Sequence, residues 1–244
     1  MKNGSYRDSH TDLNYGTRYS NTYRKGYYLH QWKKLEEPLL RFLLDKYRSR
    51  GMQSAMDFAC GTGRILSVLE EYFQETIGID VSRPMLQYAL QVCPRSEIIC
   101  QDITVNPIHK TVDLVTAFRF FVNAEPTLRE ESLKAIHTCL KPGGVLIANI
   151  HQNATSPLGL VYKIRNRIKG ENIASVMSHR EFSLLLDSCG FNVSETFWYS
   201  FLPRPGWWCG DLCGRLMLPC ENFCRRIGIP GRFAQSFLVC ALKN

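Results

Sequence analysis

From Ser54 onward the hydrophobic positions follow two rhythms in turn. Compact apolar runs at 55–59, 76–80, 98–102, 112–118 and 145–150 have the length and residue types of buried strands. Between them, apolar residues recur every three or four positions near 63–73, 83–92 and 127–140, which predicts helices. Alternation at this spacing predicts βαβ units and a parallel sheet. Two pairs have capping-box spacing, Thr127 with Glu130 and Ser178 with Glu181. The first opens the 127–140 helix, which stops before Lys141-Pro142-Gly143-Gly144; the second opens a helix closed by Gly190. Further strands are expected at 191–199 and 235–243.

The flanks read differently. Residues 1–30 are polar and tyrosine-rich without a period, and are expected to form a loose arm. Residues 31–48 carry a helical pattern through Leu35, Leu39, Phe42, Leu43 and Tyr47, with Pro38 in a first turn or at a break. Residues 203–232 are rich in Trp, Pro, Gly and Cys. The expected organisation is an arm and helix over 1–50, then one α/β domain over 51–244 with inserted caps near 152–177 and 203–232.

Thirty Lys and Arg against 22 Asp and Glu give a net charge of +8, yet residues 51–150 carry 8 basic and 11 acidic groups, so the excess lies on the flanks. That distribution does not suit a chain built along its whole length for nucleic acid. Ten cysteines among 244 residues are too sparse for a disulfide scaffold. The first residues lack an apolar signal region and no apolar run approaches a membrane span, so a cytoplasmic protein with reduced thiols is expected.

The chemistry-bearing stretch is Met56-Asp57-Phe58-Ala59-Cys60-Gly61-Thr62-Gly63-Arg64, at an expected strand-to-helix junction. Glycines there let the backbone turn sharply, and the helix start offers N–H groups to a negative group. A dinucleotide fingerprint is incomplete, because Leu66 stands where its third glycine belongs, and no G-K-[ST] follows for a phosphate loop. Asp80 and Asp102 lie one βα unit apart, so both can meet at the carboxyl edge of a parallel sheet, where such folds bind ligands.

The string resembles the first motif of class I S-adenosylmethionine-dependent methyltransferases, D/E-x-G-x-G-x-G, with Ala59 at the first glycine. The resemblance continues through Gly78-Ile79-Asp80-Val81-Ser82, Cys100-Gln101-Asp102-Ile103, Leu140-Lys141-Pro142-Gly143-Gly144 and Ser188-Cys189-Gly190-Phe191. It covers roughly residues 51–200 and the final strand, and is nearest to the small-molecule type of the family (types 11 and 25). It implies a Rossmann-like, doubly wound seven-stranded sheet with an antiparallel last strand, S-adenosylmethionine as cofactor and S-adenosylhomocysteine as product. It further implies cofactor contacts from Asp57, Ala59, Cys60, Gly61 and Gly63, with Asp80 on the ribose diol beside Val81 and Met85. Asp102 and Ile103 fall at the adenine, and Phe118 follows the fourth strand.

Methyl transfer from a sulfonium is an in-line displacement that asks the protein mainly for alignment and exclusion of water. The expected activity is O- or N-methylation of a small-molecule, glycan or lipid-linked acceptor. Thr116-Ala117-Phe118-Arg119-Phe120-Phe121 lacks the N-P-P-Y signature of exocyclic-amine methylation of bases, and Pro219-Cys220 lies far from the place of a pyrimidine C5 nucleophile. RNA methylation remains the alternative acceptor reading, and a non-catalytic methyltransferase-like binding subunit the other; the retained Asp57, Gly61, Gly63, Asp80 and Asp102 speak against the latter.

On the acceptor side His151 follows the fifth strand, where a neutral imidazole could accept a proton or merely order the next loop. Arg119, Asn153, Tyr27 and Trp207 are the expected acceptor-lining residues. Cys209, Cys213, Cys220 and Cys224 share a helical face with Leu216 and Met217, read as an apolar stripe and not a metal site. The basic run Lys163, Arg165, Arg167 and Lys169 is either a solvated face or a clamp for an acidic substrate. Trp207 and Trp208 with Leu212, Leu216, Leu218 and Phe223 wall a substrate pocket, meet a membrane surface or pack over the sheet.

Overall fold

The computed structural model describes residues 26–169, 175–202 and 210–244. Helix α1 (Gly26–Gln31) runs through a π turn (Trp32–Glu36) into α2 (Glu37–Arg48). Then follow β1 (Ser54–Phe58), α3 (Leu66–Tyr72), β2 (Glu75–Asp80), α4 (Arg83–Val92), β3 (Glu97–Cys100) and β4 (Val112–Ala117). After α5 (Pro126–Cys139) come β5 (Leu140–Ile150), α6 (Pro157–Lys169), α7 (His179–Ser188), β6 (Phe191–Tyr199), α8 (Gly210–Arg226) and β7 (Ser236–Lys243). One seven-stranded sheet has the order β3-β2-β1-β4-β5-β7-β6, parallel throughout except for β7, which is antiparallel to both of its neighbours. This is the Rossmann-like methyltransferase architecture expected from the sequence.

The central strands are apolar at consecutive positions because both faces are covered. In β1, Ala55 joins the core beneath α2 and α3, while its neighbour Met56 joins the opposite core beneath α5 and α7; Leu114 and Val115 in β4 divide in the same way. The π turn has a local cause. Pro38 cannot donate to the carbonyl of Lys34 and its ring would collide with it, so the backbone widens just upstream, where the Glu37 N–H reaches Trp32. Pro38 thus sits in the first turn of α2, one of the two placements expected.

Several boundaries differ from the sequence reading. Thr127 does not cap α5: the helix starts at Pro126, with Glu125 in the cap position and no side-chain cap, because a proline at the first helical position already has helical φ. Lys141–Gly144 is not a turn ahead of β5 but a bulge within it. Leu140 pairs with Val112 and Val145 with Leu114, and the surplus residues are absorbed where Gly143 takes a φ of +72°. By contrast, Ser178 and Glu181 form the reciprocal capping box anticipated.

In α8, Met217, Glu221 and Cys224 turn inward, while Cys213 and Cys220 are half-buried. Leu216 does not join that inward stripe; it is exposed, as are Leu212, Leu218 and Phe223, so these four side chains do not pack over the sheet. Trp207, Trp208, Cys209 and the arm before residue 26 lie outside the described residues. Among those described, no helix is long and apolar enough to cross a membrane.

Candidate functional site at the carboxyl edge of the sheet

The loop after β1 coils through positive φ three times, at Ala59 (+56°), Gly61 (+55°) and Gly63 (+84°). Gly63 has little alternative: a Cβ there would stand 2.8 Å from Cys93 Sγ and 3.1 Å from Ala89 Cα, so helix α4 closes against bare backbone. At Gly61 the added atom would meet only the flexible end of Met85, so here the conformation is the constraint. Ala59 bears its strain openly, since an L residue in this region costs about 1–2 kcal/mol.

Asp80, at the end of β2, ties this loop to the next one. Its Oδ2 accepts the Gly61 N–H at 2.9 Å and its Oδ1 the Ser82 N–H at 2.8 Å. A carboxylate offers about four lone-pair sites, and hydroxyl donors are among the groups it accepts. Cys60 is buried beside them, its N–H bonded to the Ile79 carbonyl, and Val81 opens to solvent on the same edge. Asp102 lies in the turn after β3, where its Oδ1 accepts from the Thr104 N–H at 3.0 Å and hydroxyl at 2.6 Å. Ile103 and Phe118 are buried in opposite cores, on the α5 side and the α2 side respectively.

Asp57 lies under the loop, almost without solvent contact. Burial pushes its carboxyl up to about 7, although the Thr116 hydroxyl, bonded to Oδ1 at 2.7 Å, and the Arg64 charge favour ionisation.

A second cluster, not anticipated from the sequence, closes over the ends of β4 and β6. Glu36, in the π turn, accepts Arg119 Nη2 at 3.0 Å and the Tyr199 hydroxyl at 3.2 Å on the same oxygen, while Arg64 approaches the other at 3.9 Å. The Arg64 guanidinium stands 4.3 Å from the Trp32 ring centroid, and that of Arg119 lies 5.2 Å from the ring of Tyr28. Asn149 donates to Tyr199 at 3.1 Å and accepts the Arg119 backbone N–H at 2.7 Å. Among the described residues, Arg119 (φ +59°) and Ser200 (φ +67°) join Ala59 as the non-glycine residues with positive φ. All three just follow the carboxyl ends of strands β1, β4 and β6, which point the same way, and such strain accompanies binding sites.

Beyond this cluster, Tyr27, Tyr28, Gln31, Arg119, His151 and Tyr162 line a cavity of about 30 Å³, with Ser156, Gln152, Gln235 and Ser236 completing its wall. The structure therefore brings Tyr27, Arg119 and His151 together. Tyr27 bonds Ser200 Oγ at 2.9 Å, and burial raises its hydroxyl to about 12. Asn153 departs from its expected place: its amide donates to the carbonyls of Arg232 (2.9 Å) and Ala234 (2.8 Å) and accepts the Thr155 N–H (3.1 Å). Those bonds hold the loop after β5, so the side chain is not turned toward an acceptor. Of the adjacent acids Glu36 and Glu37, Glu36 could have been suspected because it falls on the helical face of Leu40 and Leu43; its partners, 83 and 163 residues away, could not.

Residues 56–148 match the family described as a methyltransferase domain. The Bacillus subtilis protein YqeM, named as a methyltransferase, is 33% identical over 104 residues, a match that takes in 40% of this chain and 42% of that protein. The chain thus spans about two-fifths of that relative's length. Two solved structures share the fold over nearly all of both chains. An S-adenosylmethionine-dependent methyltransferase of Thermotoga maritima has a TM-score of 0.65 at 17% identity, with 96% of this chain and 99% of that one covered. Magnesium protoporphyrin IX methyltransferase of Synechocystis PCC 6803, solved with S-adenosylhomocysteine bound, has a TM-score of 0.67 at 14% identity, covering 98% of each.

Proposed function

We propose that this chain, which belongs to the class I S-adenosylmethionine-dependent methyltransferases, transfers a methyl group from that cofactor to an oxygen or nitrogen of a small-molecule, glycan or lipid-linked acceptor. The observation that carries the reading is the Asp80 carboxylate, bonded to the Gly61 N–H inside a loop of three positive-φ residues. An acceptor for ribose hydroxyls, bare glycine backbone and a second carboxylate one strand away fit a nucleoside bearing an amino-acid tail.

In this reading Gly61 and Gly63 give the backbone close approach, Asp80 holds the ribose, and Asp102 takes the adenine amine with Val81, Met85 and Cys60 alongside. The cofactor supplies an electrophilic methyl group and its leaving group. The chain supplies position: the 26–48 segment, latched by Glu36 to Arg64 and Arg119, covers the loop and keeps water out. The acceptor enters by the cavity at Tyr27, Tyr28, Arg119 and His151. Because Glu36 balances Arg119, that wall is nearly neutral, rich in hydroxyl and amide groups, which supports an uncharged polar acceptor over an anionic one. His151 takes the proton that leaves the acceptor atom as the methyl group arrives.

Calorimetry on the whole chain tests the reading. One site for S-adenosylmethionine is expected, and Asp80→Asn weakens it by about 1–3 kcal/mol through lost hydroxyl bonds. No detectable binding to the wild-type chain would sink the proposal.

A further inference from the structure

Helix α6 is oriented the wrong way round for a solvated helix. Between Pro157 and Lys169 only Gly159 is buried. At 3.6 residues per turn, Leu160, Val161, Ile164 and Ile168 fall within an arc of about 100°, and that arc faces outward. Their exposures are 49%, 56%, 60% and 79%. Leu158, Gly159 and Tyr162, on the other side, line the small cavity beside His151. Lys163 and Arg167 border the apolar arc on one flank, Arg165 and Lys169 on the other, and the helix contains no acidic residue. An ordinary surface helix turns its apolar stripe to the core and its charges to water.

Helix α8 carries a second exposed apolar stripe: Leu212, Leu216 and Phe223 share an arc of about 40°, continued by Ile227 just past the helix end, with Arg215 and Arg226 along one side. Both β5 and β6 are antiparallel to β7, so α6 and α8 leave the sheet from the same carboxyl edge.

We propose that this edge docks on an anionic lipid surface. The outward stripe of α6 enters the headgroup region of the bilayer, and its four cations meet lipid phosphates. An apolar arc rimmed by cations on both sides is the pattern of a helix lying in a membrane interface. A second copy of the chain fits less well, because two such faces would bring eight cations together without a compensating acid on either helix. RNA fits less well too, since the centre of the face offers hydrocarbon where phosphate contacts would be needed. Docking in this way leaves the cavity of Tyr162 and His151 on the inner side of α6, and the docking does not rest on the methyl-transfer reading.

Sedimentation of the full chain with vesicles tests the docking, using phosphatidylcholine alone and phosphatidylcholine mixed equally with phosphatidylglycerol. The protein is expected to pellet with the mixed vesicles and to be released by salt. Arg165→Gln with Arg167→Gln lowers the partition coefficient about twenty-five-fold, each charge near an anionic leaflet contributing about fivefold. Ile164→Glu with Ile168→Glu lowers it at least about tenfold. Both of those side chains are exposed, so the paired variant keeps its fold and binds S-adenosylmethionine like the wild type in calorimetry. Vesicle binding without cofactor binding would sink the methyl-transfer reading alone. The docking proposal is overturned if the wild type stays in the supernatant with mixed vesicles at low salt, or if Ile164→Glu with Ile168→Glu pellets unchanged. It is equally overturned if ultracentrifugation shows a wild-type dimer that this variant splits, or if the chain is retained on single-stranded RNA and not on vesicles.

Discussion

Glu36 and Arg119 are 83 residues apart in sequence and 3.0 Å apart in space, and neither side chain has more than 9% of its surface exposed. The pair fastens the N-terminal helices to the end of β4, and the approach of Arg64 extends the latch to the glycine loop. Removing one member of a buried pair strands the other without water. Glu36→Gln is therefore expected to cost about 3–5 kcal/mol in urea unfolding. Combining it with Arg119→Met recovers part of that loss, because the buried Arg119 charge is then removed along with its partner. An unchanged urea midpoint in Glu36→Gln would show that the latch contributes nothing to stability.

Ala59 offers the opposite case, a residue that holds back stability. Its left-handed backbone costs about 1–2 kcal/mol, while a glycine there would return about 0.4–1 kcal/mol to the unfolded chain as entropy. Ala59→Gly is expected to stabilise the protein by about 0.5–1 kcal/mol, read from thermal unfolding of the ligand-free chain. Gly63→Ala runs the other way. Its Cβ would press on Cys93 and Ala89 as well as on the backbone conformation, and the melting temperature should fall.

Asp57 gives a dependence on pH. Its folded carboxyl titrates near 7 because burial disfavours the charge, against an unfolded value near 3.8. Between those values the folded state holds a proton that the unfolded state has released. Stability therefore falls as pH rises through this window, by at most about 4 kcal/mol. Urea midpoints at about pH 4 and about pH 8 should differ in that direction, and Asp57→Asn should flatten the difference. A wild-type profile that rises from acid to neutral, unchanged in the variant, would count against a protonated Asp57.

The sheet was legible chiefly through its inner strands, which are buried on both faces and so write short continuous apolar runs. The glycine loop and Asp80 were legible because close backbone approach leaves few residue choices. Thr127 misled because cap spacing is a local signal, and Pro126 just before it fixed the helix start first. Lys141–Gly144 misled because a bulge and a turn use the same residues. The partners of Glu36 could not be read: they come from the end of β4, from β6 and from the glycine loop, and only the folded chain brings them together. Asn153 has the composition of a site residue, but its loop bonds use both ends of its amide.

The last prediction concerns the proton that leaves the acceptor. Among the described residues lining the small cavity, the groups able to titrate are Tyr27, Tyr28, Tyr162, Arg119 and His151. Tyr27 is pushed up to about 12 by burial and is bonded to Ser200, so it stays protonated near neutrality. Arg119 is a permanent cation held by Glu36. His151 follows the last residue of β5, with its carbonyl 3.5 Å from the Ser236 hydroxyl, and a neutral imidazole is a competent proton acceptor. A positioned base contributes about 10²–10⁴-fold. Once an acceptor is in hand, His151→Ala should lower the single-turnover rate within that range while cofactor affinity stays constant. His151→Gln separates base from scaffold, because the amide preserves hydrogen bonding and cannot take a proton at neutral pH. As slow as His151→Ala, it marks a base; restored to the wild-type rate, it reduces His151 to a residue that orders the loop. The wild-type rate should also fall toward acid, where imidazolium has no lone pair to offer, and this acid limb should be missing from the residual activity of His151→Gln.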